Sequence, residues 1–307
     1  MKSQLNRDSL YARKILLPVR KKVHLALIGM GGTGSWLAPH IIRTAKLIQE
    51  VQGREVSVTF CDPDTVEEKN IYRQNFCSAE IGTNKAVTLA QRFGHAWGFP
   101  IVALDQPYTH KLNALSDAIF SYEAQREANV ILITCVDNNA ARREVVKMLS
   151  REMPHCWWMD TGNVKVSGQV SVGRPLSNEP SPLRLPGFTT WTPEPSTQFP
   201  GILAEGEVEQ AQAPDYESMS CAEIALVDEQ GLNINHAIAS TAASMLMKLL
   251  VVGDLQYHCA YVSTESGTSF AYNSPRIIKD YLDTVRYVPD EEEGNDEEIE
   301  DDGDFEE

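Results

Sequence analysis

The chain has 307 residues, and 42% of them are hydrophobic, which is enough for a sizeable core and excludes a protein that is disordered throughout. Its formal net charge is -16, but 13 of the 43 acidic residues lie in segment 290–307, which has no Lys or Arg. The rest carries 30 acids and 27 bases. We therefore predict a nearly neutral body with a disordered acidic tail at 290–307, and no nucleic-acid partner.

Neither secretion nor membrane insertion is indicated. Segment 1–22 is basic and polar, without the apolar stretch of a secretion signal. The most apolar helical stretch, 237–252, is too short to span a bilayer and contains Lys248. The six cysteines form no C-x-x-C pair, so we expect reduced thiols in a cytoplasmic protein and no bound zinc.

Apolar runs alternate with helical patterns along the first half of the chain. The predicted elements are a strand at 23–28, a helix at 35–48, a strand at 56–61, a helix at 84–97, a strand at 101–104, a helix at 113–127 and a strand at 130–136. A further strand at 156–159 and a β-rich stretch at 164–172 follow after another helix. This β-α-β series predicts an α/β fold with a doubly wound, mostly parallel, Rossmann-like sheet.

The pattern breaks down at 174–218, where eight prolines interrupt every period. A loop of this length inside a compact domain is functional or disordered, and we predict that it is a mobile crossover with few apolar anchors. Regular structure resumes with a helix at 233–252 and two strands at 257–263 and 268–272.

The first predicted strand runs into a glycine-rich turn and then a helix. The turn contains Gly29, Gly31, Gly32 and Gly34. Glycines allow a sharp turn and a close approach of the backbone to a phosphate, which the amino terminus of the helix attracts. The alternative is a tight strand-to-helix turn without a ligand. We favour nucleotide binding. The second strand ends at Asp62, so an acid stands where a dehydrogenase binds the ribose of NAD, and spacing alone does not exclude that cofactor.

Further polar residues follow the second and fourth strands. They are Asp64, Asn70, Arg73, Gln74 and Lys85 after the second strand, and Asp137 and Asn138 after the fourth. A dehydrogenase does not need these cations beside its ribose site, whereas an enzyme that breaks a triphosphate does, because charge moves onto the departing pyrophosphate. Asp137 and Asp64 are hard oxygen ligands of the kind that magnesium takes together with phosphate oxygens.

In this order, the motifs G-x-G-G-x-G, D-x-D, N-x-x-R-Q, G-x-x-K and an aspartate at a strand end resemble the ThiF/MoeB/HesA superfamily, the adenylation domains of ubiquitin-activating enzymes. The resemblance covers residues 10–173 motif by motif and 215–252 more loosely. It implies that ATP adenylates the carboxy-terminal glycine of a ubiquitin-like protein and releases pyrophosphate. Many relatives bind zinc through two C-x-x-C pairs, which this chain lacks.

The resemblance also implies individual roles. Asp62 would bind the ribose hydroxyls of ATP, and Asp137, with Asp64, would bind magnesium. Asn70, Arg73, Gln74 and Lys85 would hold the phosphates, beside Asn138 and the glycine turn. Arg73 and Lys85 would stabilise charge as the α-phosphate is attacked. Some members are homodimers in which an arginine near the amino terminus reaches the partner's ATP, and Arg13 resembles that residue.

One cysteine is predicted to be a nucleophile. Cys221 follows the proline-rich loop, and Ser220 and Glu223 form a capping box that would place it in the first turn of a helix, where the thiolate is favoured. Its position also resembles the catalytic cysteine of compact activating enzymes, which receives the acyl group as a thioester. Cys61, Cys135, Cys156 and Cys259 are predicted core residues, and Cys77 lies near the phosphate-binding motifs.

Three functions stay open at this stage. The leading one is an activating enzyme that adenylates a ubiquitin-like protein, captures it on Cys221 and transfers it to a conjugating enzyme. The second is an adenylyltransferase for a sulfur-carrier protein, without an obligatory thioester. The third is a nicotinamide-dependent oxidoreductase or a nucleotide-binding module without catalysis.

The predicted organisation is a basic segment at 1–22, an ATP-binding adenylation core at 23–173, the mobile crossover at 174–220, the cysteine-bearing helix and remaining part of the same domain at 221–289, and the tail.

Overall fold

The computed structural model describes residues 7–107, 127–152, 155–164, 166–176, 181–204 and 232–286. Within these ranges the strands are β1 (Lys14–Ile15), β2 (Lys22–Ile28), β3 (Glu55–Cys61), β4 (Ile101–Leu104), β5 (Ala128–Thr134), β6 (Trp157–Asn163), β7 (Ser167–Gly173), β8 (Phe188–Thr189), β9 (Tyr257–Ser263) and β10 (Gly267–Tyr272). The α-helices are α1 (Arg7–Leu10), α2 (Gly32–Gln52), α3 (Lys85–Trp97), α4 (Asn139–Glu152), α5 (Pro195–Gln198), α6 (Leu232–Met247) and α7 (Pro275–Arg286). Shorter 3-10 turns occur at Glu68–Asn70, Ser78–Glu80 and Pro200–Leu203, and a π turn, Lys248–Val252, extends α6.

Among the described residues, the central sheet has eight strands in the order β10-β9-β7-β6-β5-β2-β3-β4. Strands β6, β5, β2, β3 and β4 are parallel to one another, whereas β7, β9 and β10 pair antiparallel. The predicted doubly wound, mostly parallel sheet is confirmed. β2 lies at its centre, and Ile28 at its carboxyl end is in register with Cys61 of β3 and Thr134 of β5.

Strand β2 shows how the alternating side chains build the two layers of the core. Val23, Leu25 and Leu27 face the cluster formed with α2, α3 and α6, while Ala26 and Ile28 face the cluster that contains α4. All seven residues of β5 are buried, because helices cover both faces of the sheet at this strand. The predicted strands at 23–28, 56–61, 101–104 and 257–263 all match observed strands.

The sequence predicts that the apolar stretch 237–252 is too short to span a bilayer. Helix α6 with its π turn is longer than this stretch. Among the described residues, one helix, Asn233–Val252, has the length and composition of a membrane-spanning helix. However, 56% of its apolar window is buried inside the protein, and a core helix passes the same test. Its contacts are chiefly with α2 and with the sheet strands β6, β7 and β9.

The segment predicted to be a mobile loop is packed over much of its described part. Trp191 is 2% exposed and forms a small core with Ile278 and Leu282 of α7, a helix that the sequence analysis did not predict. The prediction of few apolar anchors is therefore wrong for 181–204. The predicted helix at 113–127, apart from its last residue, the segment around Cys221 and the tail at 290–307 lie outside the described residues.

Candidate active site

The carboxyl ends of three neighbouring strands bring the predicted nucleotide residues to one edge of the sheet. Gly29 follows β2, Asp62 follows β3, and Cys135 follows β5. The main chain stays hydrogen-bonded one residue beyond the strands, because Gly29 N donates to Cys61 O at 2.9 Å and Cys135 N donates to Ile28 O at 2.8 Å. This edge is where open parallel sheets bind ligands.

The glycine turn has no room for side chains at several positions. Gly29 has φ +88°, and a Cβ on Gly34 would lie 1.8 Å from the Gly29 carbonyl oxygen. A Cβ on Gly32 would lie 2.6 Å from Nδ2 of Asn235, in the first turn of α6. The turn is thus packed between β2 and α6, and it leads into the amino terminus of the 21-residue helix α2, which favours a bound anion.

Asp62 connects the glycine turn to the loop after β3. It is 5% exposed, and its carboxylate accepts Met30 N at 2.5 Å and Asp64 N at 2.9 Å. Burial raises the pKa of this carboxyl group, and the two amide donors partly oppose that shift. The structure therefore gives Asp62 a role in shaping the turn, and its predicted contact with a ribose stays a prediction.

Asp64 and Lys85 form an ion pair at the start of α3. Lys85 Nζ lies 2.9 Å from Asp64 Oδ2, and the lysine side chain is 8% exposed while that of the aspartate is 65% exposed. Asn84 caps α3 by accepting Val87 N, and its Nδ2 donates to the carbonyls of Asp62 and Asp64. A buried ammonium group is therefore held at the edge of the sheet beside the loop that follows Asp62.

The segment with the other predicted phosphate ligands folds around a 3-10 turn. Asn70 is 3% exposed and caps this turn by accepting Glu67 N at 2.9 Å, so its amide has a structural role. Gln74 is 6% exposed, and its Oε1 is buried without a partner among the described residues. An amide rotated by 180° presents its donor nitrogen at the same place. Arg73 is half-buried, and its carbonyl accepts Trp36 Nε1 of α2 at 3.1 Å.

Asp137 and Asn138 are exposed at the end of β5 and the start of α4. Asn138 Oδ1 accepts Ala141 N at 2.9 Å and caps the helix, while its Nδ2 lies 3.4 Å from Asp137 Oδ1. Asp64 follows β3 and Asp137 follows β5, with β2 between them, so their strands are roughly 10 Å apart. No group of three or more metal-ligating side chains occurs in the described part of the chain. Joint binding of one magnesium ion by both residues stays a prediction.

A buried ion pair below Asp137 was missed by the sequence analysis. Arg142 Nε lies 3.0 Å from Asp160 Oδ1, with side chains 8% and 2% exposed, and Arg142 Nη2 donates to Val136 O at 2.8 Å and Thr161 O at 3.0 Å. Burial raises the pKa of Asp160, and the guanidinium opposes it. The signal was an acid inside the apolar strand β6. The pair fixes the residue immediately before Asp137.

Arg13 has partners within its own chain. Its Nη1 donates to the carbonyls of Leu183, Leu185 and Phe188 at 2.9–3.2 Å. Arg13 lies beside β1 and β8. Its main-chain N–H donates to the carbonyl of Asn273, just after β10, and β10 ends beside the first residue of β9. Arg13 is therefore near the amino ends of the parallel strands, away from the glycine turn. These contacts are structural ones that the sequence did not predict, and a role in a partner's ATP site stays a prediction.

The described cysteines separate into two groups. Cys61, Cys156 and Cys259 are buried, and Cys135 lies just beyond β5; burial raises the pKa of all four thiols to about 12. Their predicted role as core residues agrees with this burial. Cys77 is exposed. Cys221 lies outside the described residues.

Comparison with known proteins assigns the family. Residues 19–280 match the profile of the ThiF family. The chain belongs to the ThiF family. A search of curated proteins finds no match.

Three solved structures are similar to this ThiF-family chain. E. coli MccB with succinimide has a TM-score of 0.50 at 12% identity, over 82% of this chain and 65% of that one. E. coli MccB with MccA-N7isoASN has a TM-score of 0.49 at 15% identity, and the match covers 82% of this chain and 66% of that one. PaaA has a TM-score of 0.49 at 14% identity, and the match covers 82% of this chain and 64% of that one. The chain thus spans 64–66% of the length of the protein chains in these three structures, which is less than two thirds.

Proposed function

We propose that this ThiF-family chain is an ATP-dependent activating enzyme for a ubiquitin-like protein. The carboxylate of the carrier's terminal glycine attacks the α-phosphorus of ATP, the bond to the β-phosphate breaks, and pyrophosphate leaves with the electron pair. The thiolate of Cys221 then attacks the acyl carbon, and AMP leaves as the thioester forms. Transfer to a conjugating enzyme follows. The observation that carries this proposal is the convergence of the glycine turn, Lys85 and Asp137 at one sheet edge.

The charges at this edge suit the first step. Charge moves from the bridging oxygen onto pyrophosphate in the transition state, and fixed cations in a site with little water stabilise it most. Lys85 is such a cation, because its side chain is buried and its ion-pair partner among the described residues, Asp64, is largely exposed. Asp137 is an exposed hard ligand that fits magnesium, which when bound would neutralise part of the triphosphate charge.

The ends of segment 205–231 support Cys221 as the thiol. Before the segment, Ala204 O accepts Arg143 Nη1 at 2.9 Å, which places residue 204 at the start of α4 near Asp137. After the segment, Asn235 packs against Gly32. Cys221 precedes Asn235 by 14 residues, and such a length spans at most roughly 50 Å. The described residues that flank segment 205–231 therefore lie on either side of the strand ends.

The test is ATP–pyrophosphate exchange with a panel of small carrier proteins that end in Gly-Gly, and with the same carriers lacking both glycines. We expect exchange with at least one full-length carrier and none with its truncated form. No exchange with any carrier, together with tight NADH binding, would refute adenylation.

The thioester is tested with the carrier that supports exchange. Cys221→Ala should leave exchange largely intact and remove a thiol-sensitive adduct on a non-reducing gel, whereas Cys77→Ala should retain the adduct. If wild-type protein exchanges strongly but forms no adduct, the alternative of a sulfur-carrier adenylyltransferase is the better description. A homodimer, which would let Arg13 approach the partner's ATP, and a cytoplasmic location belong to the same proposal.

A further inference from the structure

The first turn of α2 holds the segment that carries Arg73. Trp36 Nε1 donates to Arg73 O at 3.1 Å. One residue earlier, Ser35 Oγ accepts Asn75 N at 3.0 Å, and Ser35 O accepts Asn75 Nδ2 at 3.2 Å. Since α2 begins directly after the glycine turn, the helical turn that would face a phosphate in the proposed function also holds the main chain at Arg73.

The indole of Trp36 is itself held in place. Its ring lies 3.8 Å from the ring of His236 between centroids, at an angle of 43°. His236 is in the first turn of α6, next to Asn235, which is fully buried and accepts Thr33 Oγ1 and Asn163 Nδ2. This tilted contact with the exposed His236 and the directed N–H together restrain the partly buried indole.

We propose that Trp36 is a positioning residue for Arg73. It does not touch a nucleotide through its N–H, because that group is bonded to the Arg73 carbonyl. Trp36 acts by fixing the main chain from which the Arg73 guanidinium reaches the phosphates. A displacement of the guanidinium by about 1 Å strongly weakens its interaction with them. This inference rests on the proposed function in one respect, the role of Arg73 at the phosphates of ATP.

Two features separate positioning from general support of the fold. The Ser35–Asn75 pair of hydrogen bonds remains when the indole N–H is removed, so the segment stays attached to α2. Phenylalanine keeps a ring that can stack on His236 and loses only the donor and part of the bicyclic area. The change is therefore directed at the Arg73 carbonyl.

The experiment compares the affinities for MgATP and AMP, measured by calorimetry, so that no carrier is needed. The proteins are wild type, Trp36→Phe, Arg73→Ala and the double variant. Arg73→Ala should reduce the preference for ATP over AMP about tenfold, and Trp36→Phe about threefold to tenfold, the range of one hydrogen bond. In the Arg73→Ala background, Trp36→Phe should have no further effect, because both changes remove the same interaction.

Trp97→Phe is the matched control. Trp97 is 37% exposed at the end of α3, under Arg43, and its replacement should leave both affinities unchanged. Trp36→Tyr also lacks the indole donor and gives the same test if Trp36→Phe does not fold. An equal loss of ATP and AMP affinity in Trp36→Phe, or an additional loss in the double variant, overturns the inference. A normal ATP preference in Arg73→Ala instead refutes the phosphate role of Arg73 in the proposed function, and the inference with it.

Discussion

Replacing Lys85 with methionine separates catalysis from stability. The side chain is 8% exposed, and methionine has a similar length, so the packing of the stem is retained. What disappears is one ammonium group at the strand ends. If it meets charge that develops only in the transition state, exchange should fall on the order of a hundredfold, or about 2.7 kcal/mol.

The effect of Lys85→Met on folding should be much smaller. The partner carboxylate of Asp64 is 65% exposed and is solvated without the lysine, and pairs of this kind contribute about 0–1 kcal/mol. Removal of a buried ammonium group also removes its desolvation cost. We therefore expect the free energy of unfolding to change by less than about 1 kcal/mol in urea titrations, while the exchange rate falls.

Lys147→Met is the matched control for this variant. Lys147 pairs with Glu144 at 2.8 Å on α4, and its side chain is 55% exposed. Its loss should change neither exchange nor stability appreciably. Exchange at the wild-type rate in Lys85→Met would refute the catalytic role. An exchange defect that disappears when the two proteins are compared at equal folded fractions would show that the lysine acts through stability.

Two further predictions concern charged residues at the same edge of the sheet. Asp137→Ala should abolish magnesium-dependent exchange, whereas Asp62→Ala should chiefly weaken ATP binding in calorimetry; the reverse pattern would contradict the two assignments. Asp160→Leu should lower the free energy of unfolding by about 3–5 kcal/mol in urea, because it leaves the Arg142 guanidinium buried without its partner. The double change with Arg142→Met should recover most of that loss, and a single-variant loss below about 1 kcal/mol would count against the explanation.

The sheet was predictable because each strand is a short apolar run between turn residues. Helix α2 begins at Gly32, three residues before the predicted start, because Gly32 and Gly34 are helical in the structure although glycine ordinarily weakens helices. Gly34 is required there by the approach of the Gly29 carbonyl. The sequence pattern treats these glycines as a turn, and the contact that makes them part of the helix is a tertiary one.

The packing of the proline-rich segment was not predictable from local pattern. Trp191 contacts Ile278 and Leu282, almost ninety residues later in the chain. Prolines removed any period that would have marked the segment as ordered. The α7 signal was present, since Ile278 and Leu282 are four residues apart after Pro275, but its packing partner Trp191 lies far away in the sequence.

The predicted site residues were found from motif order, whereas their supports came only from the structure. Lys85 and Asp64 were predicted separately, and the structure pairs them. Arg13 was predicted for a partner's nucleotide, and three carbonyls of its own chain hold it. A motif identifies side chains that chemistry requires, but hydrogen bonds to main-chain carbonyls distant in sequence leave no pattern in the residue types.

The two steps of the proposed reaction place opposite demands on the chain, and we propose that different parts of the chain meet them. Adenylation needs fixed groups, and the described hydrogen bonds join the glycine turn to Asp62, and Asp62 to the loop of Asp64 that Asn84 holds. None of these bonds involves segment 205–231. Acyl transfer needs a thiol that approaches after the adenylate forms, and Cys221 lies within that segment. Loss of its sulfur should therefore leave the first step unaltered, so that exchange without adduct is the behaviour expected of Cys221→Ala.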